Sequence, residues 1–212
     1  MSDEMGLFDV IYHCRAMRRL KPDPVPEETL VRLIDAAHQA ASGSNMQNGR
    51  WIVVRNPAQR AKLADLNRRA VMAYASPQSN RAAALPHQSA DRRERMLAAV
   101  VWQAEHLQEV PALVIACLEF ASPPPDSFAA GAGAAGSIWP GVQNLLLAAR
   151  ALGLGAAPTT LGLMNRPAAK EVLGLPETIE PFCLIPVGYP MGKFGPVTRR
   201  PVAEVMRWDR WE

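Results

Sequence analysis

Cys14-Arg15-Ala16-Met17-Arg18-Arg19-Leu20, continued by Lys21-Pro22-Asp23-Pro24-Val25-Pro26, packs three arginines and then three prolines into a short span. Each proline fixes φ and disfavours helix at the residue before it, so the arginines lead into an extended connection. Planar guanidinium forks meet the oxygens of a phosphate two at a time. Further on, Ser42-Gly43-Ser44-Asn45-Met46-Gln47 offers amide donors and acceptors suited to the polar edge of a ring heterocycle. Thr198-Arg199-Arg200-Pro201 adds two cations close to the end of the chain. Phosphate at one end and a flat heterocycle at the other describe a mononucleotide. Each segment alone has a plainer reading, as a solvated basic cluster, a helix stop made of turn residues, or a basic tail. Only the combination is specific.

Outward from these segments the pattern alternates helices with short apolar strands. Met5 to Cys14 has helical spacing. Glu27 and Glu28 open a second helix, where carboxylates suit the positive end of the dipole. Leu30, Leu33, Ile34, Ala37 and Ala41 mark its apolar face, and Ser42-Gly43 ends it. Trp51-Ile52-Val53-Val54 is short and β-branched, hence a strand. Ala58 to Met72 and Arg92 to Leu107 read as helices, Ala112 to Leu118 as a strand, and Ile138 to Leu152 as a long helix. That last helix carries almost no charge before Arg150, which predicts burial on all sides, partly by a second subunit. A helix over Pro167 to Leu173 and a strand over Pro181 to Gly188 complete the pattern. Few strands separated by helices predict one central sheet flanked by helices, an α+β fold.

Residues 1–212 fit a single domain with enough length to bury a sizeable core. The segment 76–90, rich in Pro, Ser, Asn and Gln, is long for an internal loop and is a candidate lid, with Trp139 and Met72 as possible apolar lining, although core or interface packing is the favoured reading of both. Gly131-Ala132-Gly133-Ala134-Ala135-Gly136 follows a proline loop instead of a strand, so it is not a dinucleotide fingerprint.

A net charge of +3 with scattered arginines gives no basic stripe for nucleic acid. No run of about 18 or more apolar residues predicts a membrane span. The N-terminus lacks the basic lead and apolar core of a secretory signal. The 3 cysteines form no Cys-x-x-Cys pair and suggest free thiols in a reducing compartment, so a cytoplasmic location is expected. Cys117 and Cys183 lie in apolar runs and read as core residues. Cys14 stands among cations that would lower its pKa, which leaves a redox-sensing thiol as the less favoured reading beside simple packing. His13, His38, His87 and His106 are dispersed, with no metal-ligand spacing.

Taken in order, these segments resemble the FMN-dependent nitroreductase family over nearly the whole chain. Cys14 to Leu20 is similar to the family's Arg-Arg-Ser-hydrophobic-Arg opening, and Val25-Pro26 to its extended link. Ala41 to Gly49 is similar to its Pro-Ser-x-x-Asn-x-Gln-Pro-Trp segment. Gln143 to Ala149, Leu152-Gly153-Leu154-Gly155 and Ala157-Pro158-Thr159-Thr160-Leu161 resemble its long central helix and the loop that follows. Val187-Gly188-Tyr189-Pro190 is similar to its Gly-Tyr-Pro turn, and Arg199-Arg200-Pro201 to its C-terminal phosphate contact. Three departures stand out. Cys14 replaces an arginine, Ala16 a phosphate-bonding serine, and Asn48-Gly49 the Pro-Trp pair.

The resemblance implies a three-layer α/β/α arrangement around a mostly antiparallel sheet, in an intertwined homodimer with FMN at the subunit interface. It implies phosphate contacts from Arg15 with Arg199 or Arg200, in a segment that includes Ala16, Met17 and Arg19. Arg18 would face the N1 and O2 edge of the flavin, where a fixed cation stabilises the charge left by reduction. Ser42, Ser44, Asn45 and Gln47 would bond the ribityl chain and pyrimidine edge, reaching over from the partner. Backbone N–H groups around Thr160-Leu161, in the loop with Pro158 and Thr159, would face N5.

The chain offers no acid, base or nucleophile of its own, which fits an enzyme whose cofactor carries the chemistry. The implied activity is an NAD(P)H-dependent flavin oxidoreductase. NADH or NADPH reduces the flavin, and two electrons pass to a nitroaromatic, quinone or similar small conjugated acceptor by a ping-pong mechanism. The alternatives are a flavin-destructive or dehalogenating branch, a flavin-binding protein without turnover, or a dimer that has lost flavin.

Overall fold

The computed structural model describes residues 5–76, 87–124 and 135–211. Most of the expected lid, 77–86, and most of the glycine run lie outside these residues. Of the lid's described ends, Ser76 follows a helix end and Ser89 caps the start of the next helix.

Four strands form one antiparallel sheet in the order β1-β2-β4-β3: β1 (Gly49–Val54), β2 (Ala112–Glu119), β3 (Gly155–Ala156) and β4 (Ile179–Gly188). Alternation along β2 explains why it lies inside. Ala112, Val114, Ala116 and Leu118 join the core on one face, while Leu113, Ile115 and Cys117 join the core on the other. β4 does the same with Cys183, Ile185 and Val187 against Leu184. Both strands therefore read as near-continuous apolar runs.

The first face is covered by α2 (Glu27–His38), through Leu30, Leu33 and Ala37, and by α5 (Trp139–Ala151), through Val142, Leu145 and Ala149. Gly141 sets how closely they meet. A Cβ there would come within 2.9 Å of both the Ala37 carbonyl oxygen and the Trp51 ring. The second face is covered by α3 (Pro57–Tyr74), through Leu63 and Ala64, and by α6 (Arg166–Leu173), through Ala169 and Leu173. α4 (Ala90–His106) packs against α3. Layers of helix, sheet and helix follow, as expected from the sequence. Two short helices, α1 (Leu7–His13) and α7 (Val202–Val205), lie near the ends of the chain.

Three differences from the sequence reading have local causes. α2 ends at His38, so Ala41 stands beyond it, exposed. α5 is buried along one stripe only, leaving Trp139 at 41 % exposure and Gln143 exposed in the single chain. β3 has only two residues, too few for a periodic signal, and pairs Gly155 with Gly188. Among the described residues no helix is long and apolar enough to cross a membrane.

Candidate functional site

The arginine segment is held by its main chain. Met17 N–H donates to the Ala156 carbonyl at 3.1 Å, and Lys21 N–H donates to Tyr189 at 2.8 Å. Met191 N–H donates to the Arg19 carbonyl at 3.0 Å, and Leu20 bridges to Pro190. Leu20 is buried, and a Cβ on Gly155 would come within 2.6 Å of its Cδ2. Gly155 thus lets the segment lie flat along the end of the sheet. Ala16 is exposed and Met17 half-buried.

Cations gather around this anchored segment. The half-buried Cys14 thiol donates to the Leu146 carbonyl on α5 at 3.5 Å. Burial pushes its pKa up, and the nearby guanidiniums of Arg150 and Arg199 oppose that shift without reversing it. The activated thiol entertained from the sequence is therefore corrected: desolvation wins over the neighbouring cations. The C-terminal stretch runs alongside, with Val197 N–H donating to the Tyr12 carbonyl at 2.8 Å. A Cβ on Gly195 would lie 3.3 Å from Arg15 Nη1. Among the described residues, Arg15, Arg150 and Arg199 have no carboxylate partner; Arg200 has none either, but is exposed and joined to them by no side-chain contact. A cluster of uncompensated guanidiniums suits a multiply charged anion such as a phosphate ester.

Arg18 is half-buried. Burial pushes its pKa down and the Tyr74 hydroxyl opposes the shift, yet a guanidinium keeps its charge. Arg19 turns the other way, its guanidinium 5.9 Å from the centre of the Trp102 ring. Trp102 in turn stacks on His106 at 4.1 Å.

The loop after β3 meets the same region. Thr159 exchanges both backbone hydrogen bonds with Leu184, at 2.8 and 2.9 Å. Its hydroxyl donates to Asn67 Oδ1 and accepts from Leu161 N–H, each at 3.3 Å. Leu161 N–H is thus already engaged, whereas Thr160 N–H has no acceptor among the described residues. Asn67 is 2 % exposed, and a Cβ on Gly162 would lie 2.9 Å from its Cβ. Pro158 and Thr160 are exposed, and Leu161 half-buried.

A cavity of about 620 Å³ opens beside Leu161, with Leu66, Ala70 and Tyr74 on one wall and Met164 and Asn165 on the other. Neither Met72 nor Trp139 lines it.

The amide segment stands apart from the arginines within one chain. Gly43 N–H donates to Ser137 Oγ at 3.1 Å, and Gln47 N–H donates to Ser42 Oγ at 3.0 Å. Gln47 Nε2 donates to Asn45 Oδ1 at 3.3 Å. Ser44, Asn45 and Gln47 have φ of 51°, 53° and 49°, left-handed values that non-glycine residues seldom adopt. Ser44, Asn45 and Gln47 are exposed, while Asn48 Oδ1 is buried without a partner.

Two residues of this region were missed in the sequence, though each left a trace. Asn67 is a polar residue on the stripe of Leu63, Ala64 and Val71 along α3. Arg150 is the one cation on α5. No cluster of three metal-ligating side chains occurs among the described residues.

The family model described as the nitroreductase family matches residues 11–189. A Thermus thermophilus protein named NADH dehydrogenase is 30 % identical over 92 % of this chain and 91 % of its own. An iodotyrosine deiodinase of Thermotoga neapolitana is 26 % identical over 87 % of this chain and 88 % of its own. The solved structure of the NADPH:FMN oxidoreductase from Vibrio harveyi, complexed with NAD+, superposes with a TM-score of 0.69. That pair is 20 % identical, over 97 % of this chain and 78 % of the other.

Proposed function

This chain belongs to the nitroreductase family, and on that premise we propose that it is an FMN-dependent, NAD(P)H-dependent oxidoreductase acting as a homodimer. The observation that carries this reading is the group of guanidiniums without carboxylate partners, Arg15 and Arg199 among them, beside the anchored segment at the sheet end. FMN would supply the redox chemistry there, taking hydride from NADH or NADPH at N5 and delivering two electrons to a nitroaromatic, quinone or similar conjugated acceptor in ping-pong order.

The chain's own residues bind, orient and shield. Arg15 with Arg199 or Arg200 holds the phosphate. Arg18, drawn out of water, keeps a fixed positive charge at the pyrimidine edge, where electrostatic stabilisation is strongest. Thr160 N–H is an exposed donor toward N5, unengaged among the described residues, and Thr159 and Asn67 keep its loop in place. The cavity beside Leu161, largely apolar with Arg69 on its wall, gives a conjugated acceptor room. Ser42, with Ser44, Asn45 and Gln47 on the left-handed turn after it, reaches the flavin of the partner subunit.

The homodimer rests on apolar side chains that one chain leaves in water: Leu7, Phe8 and Tyr12 on α1, Trp139 on α5, and Trp208 and Trp211 near the C-terminus. A cytoplasmic location fits the three free thiols.

An absorbance spectrum of the purified protein, repeated after anaerobic NADPH, tests the reading. A flavin band that bleaches supports it. No band, even after soaking with FMN, sinks it. The deiodinase relative favours one second reading, a halogenated aromatic as acceptor. Slow NAD(P)H oxidation with quinones but rapid halide release from an iodinated phenol would select that branch.

A further inference from the structure

We propose that Arg150 is a ligand of the cofactor's phosphate, contributed from the C-terminal turn of α5 to the cluster of Arg15 and Arg199. The assignment rests on the flavin reading above. α5 reaches the anchored segment through the bond from the Cys14 thiol to the Leu146 carbonyl, one turn before Arg150. Cys14 lies within the electrostatic reach of both Arg150 and Arg199, which draw on it from two different parts of the chain. Arg15 completes the group through its approach to Gly195.

The Arg150 guanidinium lies 4.1 Å from the centre of the Phe194 ring, which fixes it against the same C-terminal stretch that carries Arg199. Its Nε–H is buried and has no acceptor among the described residues. No carboxylate among the described residues balances Arg15, Arg150 or Arg199. Bringing like charges together this way is unfavourable unless an anion of high charge density joins them, and a phosphate monoester dianion is that kind of anion.

The simpler role is structural. A cation in the last turn of a helix suits the dipole, and its stem packs on Phe194. The two roles differ in what they do to a flavin with and without its phosphate. Affinities for FMN and for riboflavin are measured by flavin fluorescence titration of the apo-protein, for wild type, Arg150→Met and Arg150→Lys, with thermal unfolding of each. Losing a charge-assisted bond should weaken FMN binding by roughly tenfold to a hundredfold in Arg150→Met, leave riboflavin binding unchanged, and leave Arg150→Lys between the two.

Unchanged FMN affinity in Arg150→Met, equal weakening of FMN and riboflavin, or a lysine variant as weak as the methionine one would each overturn the assignment while leaving the flavin reading intact. Wild-type protein that binds neither flavin overturns the flavin reading, and the assignment with it.

Discussion

The Thr159 hydroxyl donates to Oδ1 of Asn67 at 3.3 Å, joining the loop after β3 to a buried position on α3. The same hydroxyl accepts Leu161 N–H, so one oxygen sets both where the loop sits and which of its amides stay free. Asn67→Ala removes the acceptor and leaves a void under Gly162. We expect a loss of about 1–3 kcal/mol in stability and a slower reductive half-reaction, with FMN still bound. Urea unfolding and stopped-flow absorbance read the two effects. A destabilised variant with wild-type flavin reduction would show that the loop's position does not matter to the chemistry.

Arg18→Gln tests the half-buried cation. Removing a preorganised positive charge from a developing anion costs on the order of 10²–10³ in rate. We therefore expect reduction by NADPH to slow by about that factor and the flavin's midpoint potential to fall. FMN affinity should change less than in a phosphate-site variant. A potential identical to that of wild type would remove Arg18 from the flavin edge.

Cys117 and Cys183 tie stability to alkaline pH. Burial pushes both thiols up to about 12 from an ordinary value of 9.0. Glu180 adds to the shift at Cys117, and a backbone hydrogen bond with Thr159 opposes it at Cys183. Above about pH 9 the unfolded chain has released these protons while the folded chain still holds them. Stability is then fully present below the unfolded value and falls as pH rises toward about 12, by at most about 1.4 kcal/mol per unit for each thiol. The double variant Cys117→Ala, Cys183→Ala should be less stable at neutral pH but decline more gently across this window. Urea midpoints taken from neutral to alkaline pH compare the slopes, and parallel slopes would refute the assignment.

The left-handed turn invites a substitution that trades binding for stability. Ser44 at φ 51° carries a strain of about 1–2 kcal/mol, which glycine relieves at an unfolded-state entropy cost of about 0.5–1 kcal/mol. Ser44→Gly should therefore raise stability by roughly 0.5 kcal/mol while lowering FMN affinity. Thermal unfolding of apo-protein and flavin titration measure the two. A destabilised Ser44→Gly variant would mean that the serine side chain earns its place through contacts within its own chain.

Long periodic elements were legible in the sequence because burial on one or both faces leaves a repeating trace. The alternation in β2 and the stripe of α2 are of that kind. Arg15, Arg18 and Arg199 stood out only together with the amide segment, because a basic cluster by itself reads as a solvated face. What escaped depends on contacts between distant segments. Gly155 accommodates Leu20 across the chain, Asn67 meets Thr159 across 92 positions, and Arg150 meets Phe194 in another segment. No local pattern encodes such meetings. The segment from Ser42 to Gln47 was legible as a helix stop made of turn residues, but its left-handed angles were not. Such angles suit Asn45 but are atypical for Ser44 and Gln47, so propensity gave no sign of them there.

The segment from Met17 to Lys21 is fastened by N–H and C=O groups that every residue type but proline can provide. Scaffold and recognition are thereby separated. Side chains at 15, 16 and 18 make none of these bonds and can be exchanged without undoing them, provided Leu20 keeps its place against Gly155. On the reading proposed above, a chain with cysteine at 14 and alanine at 16 keeps the address of its phosphate and draws the charge from elsewhere in the fold, Arg150 included.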